Sequence, residues 1–236
     1  MERQITRGTK IILEAVHDNA ALTHPLFAIN WFNTRSLWLY NIYNIIASRS
    51  LFKVGGKVLF KGRVTETLLG SPDDAREVLL IVNYPSGVAF LDLLSDRFFQ
   101  ATSLLRMAAV RDFSFALNQR GDGPERLAHQ MQSFDPSRAW AVHLFSSDRD
   151  IGEEIQTLRT IAAKETITLR FASWRAAIVH KENSGGIREA LHYVTDRVVI
   201  LEADSQARLR AAVAGRFREF ACSVSNSYIG LLKRMM

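Results

Sequence analysis

Two stretches of the chain decide the fold: residues 82–100 read VNYPSGVAFLDLLSDRFFQ, and residues 201–220 read LEADSQARLRAAVAGRFREF. Each begins with apolar, strand-like residues, passes a short polar break and continues with the spacing of a helix. An offset of 119 residues places Ser86 on Ser205. A period this long indicates a duplicated domain rather than a solenoid of short repeats.

Both halves of the chain have the element order β-α-β-β-α-β. In the first half, strands are predicted at 26–33, 58–69, 77–84 and 111–118, and helices at 37–52 and 87–109. In the second half, strands are predicted at 139–145, within 167–181, at 197–203 and at 227–234, and helices at 151–164 and 205–224. The patterns are alternating or continuous apolar runs for strands and three-to-four-residue spacing for helices.

The alignment of the halves predicts which residues are equivalent. The offset of 119 residues extends to the second strands, where it places Phe60 on Val179. The first strands align at an offset of 113, which places Asn30 on His143. The difference is expected in the helix and turn between the first two strands.

A polar joint with two Gly and two Pro, QRGDGPERLAHQMQSFDPS, separates the halves. The predicted organisation is therefore an N-terminal arm at 1–24, a first repeat at 25–118, a linker at 119–137 and a second repeat at 138–236. Each repeat is a ferredoxin-like unit whose sheet is covered by helices on one face only. We expect an α+β fold in which the two tandem repeats lay their bare faces together as an intramolecular, pseudo-dimeric α+β barrel with its helices outside.

Composition indicates an ordinary globular protein. The 236 residues are 47% hydrophobic and 23% charged, with a net charge of +6. A basic balance suits nucleic acid, anionic lipid or an acidic ligand, but the scattered Lys and Arg favour a mixed, solvated surface. The single Cys222 excludes an intrachain disulfide, which fits a cytoplasmic protein. No apolar run is long enough for a transmembrane segment, and the first residues do not read as a signal peptide.

The first half resembles domain-of-unknown-function family 1330 of the dimeric α+β barrel superfamily. The resemblance covers residues 26–118 and rests on four short motifs: the Gly55-Gly56 turn, YPS at 84–86, SDRF at 95–98 and LRMAA at 105–109. The second half has EADS in place of NYPS and lacks the paired glycines. The resemblance implies the barrel fold and little about chemistry, since the family is itself uncharacterised.

The strongest single candidate for a catalytic residue is His143, which lies in the strand AWAVHLF. Trp140, Val142 and Leu144 share one face of this strand, and we expect these bulky groups to pack on the helices. His143 would then point into the barrel, beside its equivalent Asn30, and form a polar spot in an apolar ligand pocket. The alternative is a hydrogen-bonded core histidine without a catalytic part.

The ends of the third strands carry the other candidates. Glu202 and Asn83 are equivalent positions, and a buried Glu202 carboxylate near His143 would orient the imidazole and raise its basicity. Asn30, Asn83 and a hydroxyl of Tyr84 at the rim are the candidate ligand contacts. The alternatives are that Glu202 caps a strand end in solvent and that Tyr84 only packs.

No metal or cofactor is predicted. The six His residues show no HxxxH or HxH spacing, and the paired glycines lack a nucleotide-loop context. The element order also occurs in RNA-recognition domains, but RDFSFALN lacks their glycine pattern, and the barrel would use up the open sheet, so nucleic acid is not the expected partner.

Two hypotheses on function follow. In the first, the barrel binds a small, largely apolar molecule between its sheets. Proteins of similar fold include cofactor-independent oxygenases and isomerases, and in such a reaction His143 would be the base in this chain. In the second, side chains fill the barrel, and its surface serves a protein partner or self-association. The volume of the barrel interior distinguishes the two.

Overall fold

The computed structural model of the chain describes residues 24–120, 135, 137–182 and 197–235. The predicted N-terminal arm, apart from His24, and most of the predicted linker lie outside these residues. The first half contains β1 (Leu26–Thr34), α1 (Leu37–Lys53), β2 (Lys57–Leu69), β3 (Val78–Tyr84), α2 (Gly87–Ser95), α3 (Arg97–Ala109) and β4 (Val110–Arg120). The second half contains β5 (Ala139–Ser146), α4 (Ile151–Lys164), β6 (Thr168–Glu182), β7 (Arg197–Ala203), α5 (Gln206–Ala214), α6 (Arg216–Cys222) and β8 (Ser225–Arg234).

The eight strands form one closed antiparallel barrel in the order β1-β3-β2-β8-β5-β7-β6-β4. Each half contributes a four-stranded sheet, and the two sheets join edge to edge where β2 pairs with β8 and β4 pairs with β6. The two bare faces therefore meet inside the barrel, as expected for a pseudo-dimeric pair of ferredoxin-like repeats. Closure also removes the exposed strand edges that each half-sheet would have alone.

The strand register confirms that Asn30 and His143 are equivalent. Asn30 lies opposite Leu80 on β3, and His143 lies opposite Val199, the matching residue of β7. The predicted alignment of the second strands is wrong. Phe60 lies opposite Ile81 just after a bulge, and the residue with that place in the second half is Phe171, not Val179.

Each long helix predicted after a third strand is two helices. The first break lies at Asp96, whose carboxylate accepts a hydrogen bond of 2.9 Å from the Phe99 amide and so caps α3. The second break lies at Gly215, between α5 and α6. Ser86 and Ser205 cap the two helices that precede these breaks.

Three apolar layers form the core. One packs the first-half sheet against α1, α2 and α3, and another packs the second-half sheet against α4, α5 and α6. The third layer lies inside the barrel and draws on all eight strands; its larger members are Phe27, Trp31, Phe60, Trp140, Phe171 and Tyr228. Side chains thus fill the middle of the barrel.

The two ends of the barrel differ. Because all neighbouring strands are antiparallel, one end collects the starts of β1, β2, β5 and β6 and the finishes of the other four strands. We call this end the mouth. At the opposite end, the Trp31 indole donates to the Asp74 carbonyl at 3.2 Å, and Ala75 packs against the interior layer. The segment between β2 and β3 therefore covers that end.

Candidate functional site

An ionic cluster lies at the mouth, inside the barrel. Its centre is Glu202, which lies two residues after Ile200 on β7 and so shares the interior face. The Arg138 Nε donates to Glu202 Oε1 at 2.6 Å. Arg170 donates from Nε to Oε2 and from Nη2 to Oε1, the latter at 2.9 Å. Two guanidinium groups therefore hold one carboxylate whose side chain is only 4% exposed.

The ion pairs control the charge of Glu202. Burial acts to raise the pKa of the carboxyl group, but the hydrogen bonds and positive charges of Arg170 and Arg138 outweigh it and hold that pKa below its ordinary value. Glu202 is consequently an anion at neutral pH. Both of its oxygens already accept hydrogen bonds, so it is poorly placed to remove a proton from a substrate.

A third guanidinium group, that of Arg234, lies beside the cluster. It sits 5.1 Å from the ring centroid of Trp140 and 5.7 Å from that of Phe60. These two aromatic rings contact each other at 5.6 Å. Arg234 thus lies against an aromatic surface on the interior face, where its charge is partly desolvated and its pKa is lowered.

Two buried polar atoms near the mouth lack a hydrogen-bond partner within the described part of the chain. One is the indole Nε1 of Trp140, and the other is Oδ1 of Asn118, whose amide nitrogen donates to Ser173 at 3.0 Å. Both side chains are almost fully buried on the interior face. Buried polar atoms are nearly always satisfied, so an unpaired donor and an unpaired acceptor on the same interior face are unusual.

The first half has no copy of this cluster. The equivalent of Glu202 is Asn83, since each lies opposite the second residue of its neighbouring first strand. Asn83 also lies at the mouth on the interior face, but Leu59 takes the place of Arg170 at the matching bulge. The charged site therefore exists once, in the second half.

The expected orientation of His143 is wrong. Trp140, Val142 and Leu144 belong to the interior layer, so His143 faces the helices. Its ring packs edge-on against Phe220 of α6 at 5.9 Å, and Nε2 hydrogen-bonds Ser227 Oγ at 2.9 Å. The bulky residues fill the wide interior, and the histidine occupies the narrower space under α6.

The expected pairing of His143 with Glu202 is also wrong, because the two side chains project from opposite faces of the sheet. No hydrogen-bond partner of His143 Nδ1 lies within the described residues. Burial lowers the pKa of the imidazole to about 3, which keeps it neutral and makes it a weak base. A catalytic role for His143 stays a prediction, because its side chain does not face the barrel interior.

The other two predicted contacts also lie outside the barrel. The Asn30 amide donates to the backbone carbonyls of Ala28 and Leu80, at 3.2 and 3.3 Å, on the helix side of β1. Tyr84 is buried and packs edge-on against Phe90 at 5.0 Å, and burial raises the pKa of its hydroxyl above the ordinary value. Tyr84 therefore packs in the core, which is the alternative expectation for this residue.

Sequence reasoning missed Arg138, Arg170, Arg234, Trp140 and Asn118 as parts of the site. The available signal was an acidic residue at the end of the apolar run VVILEA together with arginines at strand starts in SRAW and TLRF. Within the described residues, no group of three His, Cys, Asp or Glu side chains could hold a metal ion. Nor is any described helix long and apolar enough to cross a membrane.

No protein-family model matches the chain, and no curated protein matches its sequence, so the resemblance to family 1330 is not confirmed. A solved structure of a candidate monooxygenase from Fusobacterium nucleatum aligns over 91% of this chain and 94% of its own, with 7% identity and a TM-score of 0.52. Another candidate monooxygenase, from Lactobacillus acidophilus, aligns over 89% of this chain and 94% of its own, with 9% identity and a TM-score of 0.49.

A protein of unknown function from Rhodopseudomonas palustris aligns over 48% of this chain and 92% of its own, with 21% identity and a TM-score of 0.43. At such identities, the likeness to the Fusobacterium protein shows the fold alone. This chain therefore has an α+β barrel fold that a second single chain of similar extent also adopts.

Proposed function

We propose that the protein binds a small organic anion at the mouth of the barrel. The observation that carries the proposal is the gathering of Arg138, Arg170 and Arg234 around the single carboxylate of Glu202. Within the described residues, two guanidinium groups are hydrogen-bonded to one carboxylate, so this hydrogen-bonded part of the cluster has a net positive charge. A carboxylate is a suitable ligand because guanidinium groups bind it with strong, charge-assisted hydrogen bonds.

The unpaired buried atoms suggest the rest of the ligand. Trp140 Nε1 can only donate a hydrogen bond, so it favours an oxygen acceptor. Asn118 Oδ1 can only accept, so it favours a hydroxyl or amine donor. A small hydroxy-carboxylate with an apolar body supplies all of these groups.

Aromatic side chains close to the mouth limit the depth at which the ligand binds: Phe27 pairs with Asn83, and Phe171 pairs with Ile200, two residues before Glu202. Phe27 and Phe171 meet edge to face at 5.3 Å inside the barrel, and both side chains are nearly inaccessible. We therefore place the ligand at the mouth rather than midway between the sheets. Its apolar body would contact the aromatic side chains nearest the ionic cluster.

Binding without turnover is the proposed function. Oxygenase or isomerase chemistry without a cofactor needs a base beside the substrate. Glu202 is held by two arginines, and His143 lies on the other face of the sheet. The packed interior also supports a second candidate, in which the barrel is a scaffold for a protein partner and the cluster only stabilises it.

Calorimetric titration with para-hydroxybenzoate tests the proposal. Arg138→Gln removes a partly exposed positive group while Arg170 keeps its bonds to Glu202. We expect this change to weaken binding by about tenfold to a hundredfold, the usual effect of losing a charge-assisted hydrogen bond. Arg208→Gln, which removes the surface pair with Asp204, is the matched control and should leave binding unchanged.

Three results would refute the proposal. Equal affinities for para-hydroxybenzoate and its uncharged amide would show that charge is not recognised. Equal affinities of the Arg138→Gln and Arg208→Gln variants would show that the mouth is not the site. Absence of heat with any hydroxy-carboxylate would favour the scaffold function.

A further inference from the structure

Helices α1 and α3 pack side by side on the outside of the first half, and both carry exposed large apolar side chains. We call this surface the α1–α3 face; its exposed apolar members are Trp38, Ile45 and Phe52 on α1 and Phe98, Leu104 and Met107 on α3. The three on α1 are seven residues apart, so they follow one side of the helix over four turns. Large exposed apolar patches on a monomer mark interaction surfaces.

This surface belongs to one half only. Every exposed large hydrophobic side chain in the described part of the chain lies in the first half. The counterpart of α1 in the second half is α4, whose exposed positions include Glu153, Gln156, Thr157 and Arg159. Because the fold is the same in both halves, barrel packing alone does not require an apolar exterior on α1 and α3.

The charges around the α1–α3 face are positive. No Asp or Glu occurs between residues 19 and 65, so α1 has none, and α3 has none either. Arg49 and Lys53 on α1 and Arg97 on α3 supply the basic groups, whereas Arg106 faces the sheet, 4.5 Å from the buried Phe113 ring. The Asp96 carboxylate, which caps α3, lies 3.6 Å from the Lys53 ammonium group and offsets part of its charge. An occupant of this face must therefore bring negative charge.

The shape of the face limits the choice of partner further. Its apolar side chains are between 46% and 75% exposed, so they project outward and do not line a groove. The Arg49 guanidinium lies 5.9 Å from the Phe98 ring, so positive charge and apolar surface are interleaved. Projecting Trp, Phe and Leu side chains among Arg and Lys are typical of helices that lie in the interface of an anionic bilayer.

We propose that the α1–α3 face docks on the surface of an anionic lipid bilayer. The projecting side chains enter the boundary between headgroups and acyl chains, and the basic groups contact lipid phosphates and carboxylates. A second copy of the chain fits less well, because a symmetric contact would place one basic face on another. This inference does not depend on the ligand at the mouth, since the two surfaces share no residue.

Co-sedimentation of the full chain with lipid vesicles tests the proposal. We expect binding to vesicles of phosphatidylcholine mixed with phosphatidylserine and much weaker binding to phosphatidylcholine alone. Trp38→Ser with Ile45→Ser and Phe52→Ser should lower the partition coefficient by at least about tenfold. These positions are exposed, so an unchanged thermal melt is expected and confirms that the variant is folded.

A charge-matched pair of variants tests the electrostatic part. Arg49→Gln with Lys53→Gln should lower the partition coefficient on the order of twentyfold, because each basic group at the surface contributes about fivefold. Arg159→Gln with Lys164→Gln removes the same charge from α4 and should change it far less. Equal losses in both variants would overturn the proposal, since they would reflect net charge alone.

Three other results would overturn it. The wild-type chain could fail to sediment with either vesicle, which would favour a protein partner. Its partitioning could be unaffected by the triple substitution. Sedimentation velocity could show a dimer that the triple substitution converts to a monomer, which would make a second copy the occupant.

Discussion

Glu202 and Asn83 occupy the same position in the two half-sheets, yet only Glu202 is held by arginines. Both lie at the mouth on the interior face of the barrel. The duplicated fold thus carries one charged site. A substitution at Asn83 therefore serves as an internal control for a substitution at Glu202.

Glu202→Gln should lower the free energy of unfolding by about 3–5 kcal/mol, because it leaves Arg138 and Arg170 without their buried counter-charge. Urea denaturation at neutral pH measures this loss. Asn83→Ala, at the equivalent half-buried position, breaks no ion pair and should cost about 1 kcal/mol or less, the usual effect of a single substitution. A loss below that of Asn83→Ala would mean that the ion pairs do not stabilise the fold.

His143 should make the stability depend on pH. Its pKa is about 3 in the folded chain against 6.5 for an unperturbed histidine, so below pH 6.5 the unfolded chain binds a proton that the folded chain excludes. The contribution is complete above pH 6.5 and falls by about 1.4 kcal/mol per pH unit as the pH drops towards 3.

His143→Asn removes this titration and provides the comparison. Between pH 6.5 and about 4.5, where carboxylates begin to protonate, the wild type should lose stability more steeply than the variant. Identical slopes in urea denaturation across this range would mean that His143 is accessible to protons in the folded state.

The same variant tests the predicted catalytic part of His143. Loss of the bond to Ser227 should cost about 1–3 kcal/mol of stability. Affinity for para-hydroxybenzoate should not change, because His143 faces α6 and not the mouth. A selective loss of binding in a variant of unchanged fold would restore His143 to the site.

Cleavage of the chain between residues 121 and 134 should leave the halves associated. The ladders between β2 and β8 and between β4 and β6, together with the interior layer, join the halves independently of the connection. Size-exclusion chromatography after a protease cut at an inserted site checks this. Two separate folded halves would contradict the closed barrel.

The duplicated architecture could be predicted because the element order recurs, and the turn and helix after the third strand repeat at an offset of 119 residues. The register of the second strands could not, because the connection from the second to the third strand differs in length between the halves: Phe60 and its equivalent Phe171 are 111 residues apart, whereas their partners Ile81 and Ile200 are 119 apart. An apolar pattern indicates which residues of a strand are buried, but it does not show where a bulge inserts an extra residue. The helix breaks at Asp96 and Gly215 were not predicted, because the apolar spacing continues across them.

The orientation of His143 could not be predicted because both faces of β5 are buried. Its first seven residues are all buried, so alternation of polar and apolar residues gives no direction. The ionic cluster was missed for a different reason. Arg138, Arg170 and Arg234 meet Glu202 or its aromatic neighbours only through strand pairing in the closed barrel, and their spacing in the sequence has no motif.

The most direct test of ligand binding at the mouth is the indole N–H resonance of Trp140 in a nitrogen-15 correlation spectrum. The chain has 4 Trp residues, and Trp140→Phe assigns the resonance. Titration with para-hydroxybenzoate should shift the Trp140 signal saturably, because Nε1 lacks a partner among the described residues and gains an oxygen acceptor. The signal of Trp38 on the α1–α3 face should stay in place. A Trp140 signal that does not move at any ligand concentration would contradict the proposed site.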